Sequence, residues 1–214
     1  MCIRDRYTSA VEIPTVTQTV KVDVTALLAF RKKLKEEGHA FSVNDFVLKA
    51  VAKALRRHPE ILVSLDGEQI IRRAHVNLGM AVALDAGLIV PVIRDADLLS
   101  LEALSAKAKD LAERARANQL GADEYKGSTF TVSNLGMFGI GNFTAIINAP
   151  EAAILSVSSV RKTPVVITDE NGEDTIAIRP MMNIQLSVDH RLIDGLLASQ
   201  FVEYMKQLLS LIHI

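Results

Sequence analysis

The sequence predicts an α/β fold, a two-layer sandwich of helices on a mixed sheet. Strand-like and helix-like stretches follow one another without the regular alternation that a doubly wound parallel sheet needs. The 214 residues suit a single domain. With 49% hydrophobic and 23% charged residues, the chain has apolar material for a full core and too little charge for disorder.

Residues 11–24 are rich in valine and threonine with partial alternation, the pattern of a half-buried opening strand. Thr25 offers an N-cap for a helix reaching Glu37 and ended by Gly38; Ser42 caps a second helix with apolar positions Phe46, Val47, Ala50, Val51, Ala54 and Leu55. Pro59 stops that helix, because proline cannot continue the hydrogen-bond ladder. Short strands are expected around the Asp66-Gly67 turn, a longer one over 76–84, a turn at 85–87, and another strand over 88–93. Residues 100–120 have helical spacing, with Leu101, Leu104, Ala108, Leu111 and Ala115 inside and Glu102, Lys107, Lys109, Glu113 and Arg114 outside. After Gly121 come strands over 129–133, 143–147, 152–160, 164–168, 175–178 and 182–188, the Asp169-Glu170-Asn171-Gly172 turn joining two of them. A last helix is expected over 195–209.

Residues 1–6 (MCIRDR) have no periodicity, and 209–214 (LSLIHI) break off without a polar taper. Both read as disordered or foreign tails, which leaves 7–208 as the domain and gives Cys2 and His213 no functional weight. Lys plus Arg at 24 against Asp plus Glu at 25 gives a net charge of -1, which argues against nucleic acid or an anionic membrane surface as partner. No apolar run reaches the roughly 18 residues of a membrane span, and no signal-peptide pattern opens the chain, so a cytoplasmic setting is expected. A single cysteine excludes an internal disulfide framework and a cysteine-based metal cluster. Oxygen and nitrogen groups, without a metal, are left to do any chemistry.

His190 follows the run NIQLSV, whose alternation puts Ile184, Leu186 and Val188 on one face and delivers Asp-His-Arg at a strand end. A histidine held there can act as a general base near neutral pH, and a thiol is a natural target, since its thiolate is the strong nucleophile. Asp194 precedes Gly195 and the last helix, where it can cap the helix or shape the histidine loop; Arg191 can pair with Asp189 or Asp194.

A second constellation is TFTVSNLGMFGIG over residues 129–141. It ends a strand in a hydroxyl, Ser133, and an amide, Asn134, and continues into a loop that begins at Gly136. Such a segment can aim Ser133 Oγ and backbone N–H groups at a developing oxyanion. No G-x-S-x-G elbow surrounds Ser133, which makes it a donor more than a nucleophile, and the glycine spacing fits no phosphate-binding loop. The third segment, 88–96, is an apolar strand interrupted by Pro91, which marks an edge or a bulge.

These segments, with Glu12-Ile13-Pro14, Ser42-Val43-Asn44-Asp45-Phe46, Gly87 to Val92, Thr131-Val132-Ser133-Asn134, Asn148-Ala149-Pro150 and Asp189-His190-Arg191, resemble the catalytic core of the dihydrolipoamide acyltransferases of 2-oxo acid dehydrogenase complexes. The resemblance runs from about Thr8 to Leu208. It implies a chloramphenicol-acetyltransferase-like sandwich that forms homotrimers and larger cores, with each active site at a subunit boundary. It implies coenzyme A and dihydrolipoyl-lysine as substrates, and no metal. By the same resemblance His190 is expected to take the thiol proton, Ser133 to bind the oxyanion, Asp194 to shape the catalytic loop, and Asn134 and Gly136 to bind substrate. Implied partners are a lipoyl domain, absent from this chain together with its lipoyl attachment site, and the 2-oxo acid dehydrogenase and dihydrolipoamide dehydrogenase components. The setting is bacterial cytoplasm or, less favoured, a mitochondrial matrix. The 136–140 loop is most similar to the acetyl-transferring, pyruvate branch. A chloramphenicol-type O-acetyltransferase and a non-catalytic scaffold core are the alternatives; the Asp-His-Arg context opposes the first and the presence of His190 the second.

Overall fold

The structure, a computed structural model, describes residues 3–84 and 87–211; Cys2, His213 and two positions of the expected 85–87 turn lie outside them. Among the described residues seven strands form the main sheet, in the order β1 (Thr15–Asp23), β11 (Asp174–Asp189), β9 (Ala153–Val157), β8 (Phe130–Asn134), β4 (Leu78–Met80), β7 (Val92–Ile93), with β10 (Arg161–Thr168) paired to β11. Both β8–β9 and β4–β8 are parallel and the other pairs antiparallel, so the sheet is mixed, as expected.

Helices α2 (Thr25–Glu36), α3 (Val43–Arg57), α4 (Leu101–Arg116) and α5 (Gly195–Leu211) build the second layer; α5 packs on β1 and β11, and α3 on both α4 and α5. The face they cover is apolar: Ile184, Leu186 and Val188 of β11 stand in register with Val157, Leu155 and Ala153 of β9, and all six are buried. Phe201 of α5 meets Phe130 of β8 with ring centroids 5.8 Å apart and ties the layers together. Removing a side chain of that size from water contributes ~2 kcal/mol.

Local sequence signals account for several boundaries. The Ser42 hydroxyl accepts the Asp45 N–H (3.2 Å) while the Asp45 carboxylate accepts the Ser42 N–H (2.7 Å), a reciprocal cap that fixes the start of α3. Ser100 caps α4 through the Ala103 N–H (3.1 Å). Gly38, at φ 94°, takes the left-handed turn that ends α2. The start of α2 differs from expectation: Thr25 lies inside the helix, and Asp23 Oδ1 accepts its N–H at 2.8 Å.

Five further expectations are corrected. Residues 3–12 form a helix, α1 (Ile3–Glu12), so the opening strand starts at Thr15 and the end segments are helical as far as they are described, at 3–6 and again at 209–211. The 76–84 run divides, β4 joining the main sheet and β5 (Val82–Leu84) pairing with β6 (Gly87–Ile89) in a separate ribbon. The 88–93 run divides likewise at Pro91, which has no N–H for a ladder and whose carbonyl accepts from Met80 N (2.9 Å). Residues 143–147 form no strand, because side chains service their backbone: Ser9 Oγ donates to Ile147 O (2.6 Å) and Arg6 Nη1 to Ile146 O (3.3 Å). The strands expected over 175–178 and 182–188 are one, β11. Its Pro180 sits where pairing passes from β10 to β1, and its carbonyl accepts from Val24 N (3.0 Å).

Candidate active site

The buried strand β11 ends on Asp189, and the chain turns there to expose His190. The turn is pinned through the backbone: His190 N–H donates to Pro14 O (2.9 Å), Asp189 N–H to Ala152 O (2.8 Å), and the N–H groups of Leu192 and Ile193 to Asp189 O (3.0 and 2.9 Å). The residues flanking His190 clamp each other. Asp189 Oδ1 accepts from Arg191 N (3.0 Å) and Nε (2.9 Å), and Oδ2 accepts from Arg191 Nη2 (2.7 Å). The hydrogen-bonded carboxylate raises the Arg191 pKa further, and the charge on the buried acid is matched by a bidentate partner. Arg191 thus pairs with Asp189, one of the two partners the sequence allows. Asp194 Oδ1 accepts the Leu197 N–H (2.8 Å), the capping geometry that starts α5 and closes the histidine loop.

Ser133 lies at the other end of the sheet. It pairs with Ser156 of β9, and Ser156 with Gln185 of β11, which precedes His190 by five residues. At about 3.3 Å per residue along a strand and 4.8 Å between strands, roughly 19 Å separates Ser133 from His190 in one chain. No proton passes across that gap to a shared substrate atom.

A cavity of about 490 Å³ opens beside the end of β8 and is lined by Asn44, Met80, Leu88, Ser133, Asn134 and Phe138, among others. Asn134 Oδ1 accepts the Gly136 N–H (2.8 Å), and its Nδ2 donates to Asn44 Oδ1 (2.8 Å). The backbone donor fixes which way the Asn134 amide points, and Asn44 of α3 then anchors it. Gly136 stands behind the cavity wall: a Cβ there would lie 3.0 Å from both Asn134 Oδ1 and Ser158 O, so any side chain would press on the Asn134 amide and the β9 end. Asn44 went unrecognised as a support for this site, because nothing local in the sequence links position 44 to position 134.

Glu151 was also missed. It is 4% exposed, two residues before β9, and lines a cavity of about 430 Å³ that also touches Ile13, Asp189 and Arg191. Ser128 Oγ and Asn148 Nδ2 (2.8 Å) donate to Oε1, while Oε2 meets no hydrogen-bond partner within bonding geometry among the described residues. Burial pushes its pKa up, against these hydrogen bonds. The folded state therefore holds a proton that the unfolded chain gives up, and stability falls as pH rises from the ordinary glutamate range through the folded pKa. Glu151→Gln should melt higher than the parent at pH 8, with the gap closing toward pH 4; a gap that does not change with pH in thermal melts would contradict this. Among the described residues no group of three or more His, Cys, Asp or Glu side chains is arranged to hold a metal ion.

The fold is that of chloramphenicol acetyltransferase, on which the chain superposes with a TM-score of 0.57 at 16% identity, covering 96% of this chain and 94% of that one. Residues 2–213 match the family described as 2-oxoacid dehydrogenases acyltransferase (catalytic domain), and the chain belongs to that family. A mitochondrial dihydrolipoyllysine-residue acetyltransferase component of pyruvate dehydrogenase complex from Schizosaccharomyces pombe is 42% identical over 195 residues, covering 90% of this chain and 40% of the relative. The chain thus spans less than half of that relative's length. The cubic core of a pyruvate dehydrogenase multienzyme complex superposes with a TM-score of 0.90 at 40% identity, covering 98% of this chain and 86% of that one. An Azotobacter vinelandii dihydrolipoamide acetyltransferase, solved to define the role of a serine, a histidine and an asparagine in its catalytic mechanism, gives the same values.

Proposed function

We propose that the chain transfers an acetyl group between a dihydrolipoyl thioester and coenzyme A, as the catalytic domain of a 2-oxo acid dehydrogenase complex. The observation that carries the reading is the split pair: a pinned histidine at one end of the sheet and a serine on a substrate-sized cavity at the other. Copies related by rotation bring the His190 end of one to the Ser133 end of the next, so each boundary makes one site. The cubic core formed by a similar protein supports such assembly. A homotrimer that builds a larger core is the arrangement we infer, served by a lipoyl domain and by the dehydrogenase and dihydrolipoamide dehydrogenase components.

In the direction of acetyl-coenzyme A formation, His190 takes the proton of the coenzyme A thiol, and the thiolate adds to the thioester carbonyl carbon. The tetrahedral oxyanion accepts a hydrogen bond from Ser133. Collapse breaks the bond to the dihydrolipoyl sulfur, which takes the proton back from His190. One thioester replaces another, so orientation, proton transfer and oxyanion stabilisation suffice. Asp194 acts through the loop that it caps. Asn134 and Gly136 shape the cavity wall against which substrate lies.

The serine, histidine and asparagine studied in the Azotobacter enzyme support these roles, with Asp194 standing four positions after His190 as that asparagine stands after that histidine. No helix among the described residues is long and apolar enough to cross a membrane. The test is steady-state transfer from acetyl-, succinyl- and isobutyryl-coenzyme A onto dihydrolipoamide. The acetyl donor should have the highest kcat/KM; a preference for another donor overturns the acyl assignment, and no transfer from any overturns the reaction class.

A further inference from the structure

The hydrogen bonds at the end of β8 form a relay with a fixed direction. The Gly136 backbone N–H can only donate, so the Asn134 atom that it meets at 2.8 Å is the carbonyl oxygen, Oδ1. Asn134 Nδ2 is thereby turned to Asn44 and donates to Asn44 Oδ1 at 2.8 Å. That bond in turn leaves Asn44 Nδ2 on the side of Met80, and Asn44, Met80, Asn134 and Ser133 all line the cavity of about 490 Å³. The one partner of Asn44 Nδ2 among the described residues is Met80 Sδ at 4.0 Å, a thioether that accepts hydrogen bonds only weakly. Asn44 is not free to seek a better acceptor, because it sits in the first turn of α3, where the reciprocal Ser42–Asp45 cap fixes the backbone on either side of it. The neighbouring wall, formed by Met80, Val82, Leu88, Val132 and Phe138, is apolar. The relay therefore ends in a positioned N–H donor on an apolar surface.

We propose that Asn44 binds substrate, its Nδ2 donating to an amide carbonyl of the arm that occupies this cavity. The inference rests on the acyl-transfer reading, whose two substrates share the chemistry required: each carries its thiol on a flexible chain of methylene groups interrupted by amide, the pantetheine chain in coenzyme A and the lipoyl-lysine chain in the other. Methylenes suit the apolar wall. A carbonyl that enters beside them leaves water and needs a donor, which the Asn44 amide supplies without first having to be ordered. An N–H group brought to the same place would meet another donor, so the direction of the relay selects a carbonyl over an amine. The contact lies on the arm and not at the reacting thioester, and it is made equally before and during the reaction, which makes it a determinant of substrate binding.

Two substitutions separate this donor from the anchoring of Asn134. Asn44→Asp keeps an oxygen for Asn134 Nδ2 and deletes the donor, and an acidic side chain in the first turn of a helix favours the fold. Asn44→Ala deletes donor and acceptor together. In steady-state transfer from acetyl-coenzyme A to dihydrolipoamide by the assembled enzyme, each variant should raise KM for one of the two substrates roughly fivefold, the worth of one neutral hydrogen bond, with kcat held within about twofold. The substrate affected names the arm: a rise confined to acetyl-coenzyme A assigns the contact to the pantetheine chain, and one confined to dihydrolipoamide assigns it to the lipoyl chain. A KM that rises in Asn44→Ala but not in Asn44→Asp overturns the proposal, because the bond to Asn134 is then all that Asn44 contributes. Unchanged KM values in both variants, a fall in kcat alone, or an equal rise in KM for both substrates overturns it as well. A parent enzyme that transfers no acetyl group overturns the acyl-transfer reading instead.

Discussion

His190→Ala should lower kcat for acetyl transfer roughly a thousandfold, within the 10²–10⁴ range that a positioned general base contributes, while KM changes little. The thiol of coenzyme A is a poor nucleophile until its proton leaves, and His190 is the titratable group presented at this strand end with its backbone pinned. The His190 side chain is exposed, and the turn is held by the His190 backbone N–H and by the Asp189–Arg191 clamp. Alanine leaves all of these in place, so the variant should fold and assemble as the parent does, which circular dichroism and sedimentation will show. Activity within tenfold of the parent would remove His190 from the mechanism.

Mixing two inactive variants should restore activity. Ser133→Ala alone should lose roughly 10²–10³ in kcat, as expected for removal of an oxyanion donor, and His190→Ala loses its base. If each site takes its histidine from one copy and its serine from the next, random co-assembly at equal amounts gives a site with both groups intact in about one boundary in four. Co-expressed variants should therefore show about a quarter of parental kcat, far above either variant alone. Were both residues to act within one chain, every site in the mixture would carry one defect and the mixture would stay inactive. The estimated 19 Å between the two residues of one chain predicts the first outcome.

Features written in adjacent residues were legible in the sequence. The Ser42 cap, the Asp169 to Gly172 turn and the buried face of α4 each need only a few neighbouring positions, and the structure has all of them. Strand continuity was less legible, because it depends on partners distant in sequence. Pro180 reads as a break, yet β1 and β10 divide the pairing of β11 around it. The 143–147 run has strand composition but lies where side chains of α1 already occupy its carbonyls. His190, Ser133 and Asp194 were found as ends of elements, where exposed polar residues stand out. Asn44 and Glu151 were not, because each matters through a contact set by tertiary packing, which is not encoded in a short window.

The single strand β11 also orders the molecule in time. Its last third is buried between β1 and β9, while its first residues, with Ile176 and Ile178 at 80% and 72% exposure, run out along a hairpin. Amide protons of 184–189 should exchange with solvent only when the whole domain opens, and those of 174–178 through fraying that costs far less. The histidine is thus carried at the slowest-opening end of a strand whose far end opens freely, and protection decays along one continuous stretch of backbone.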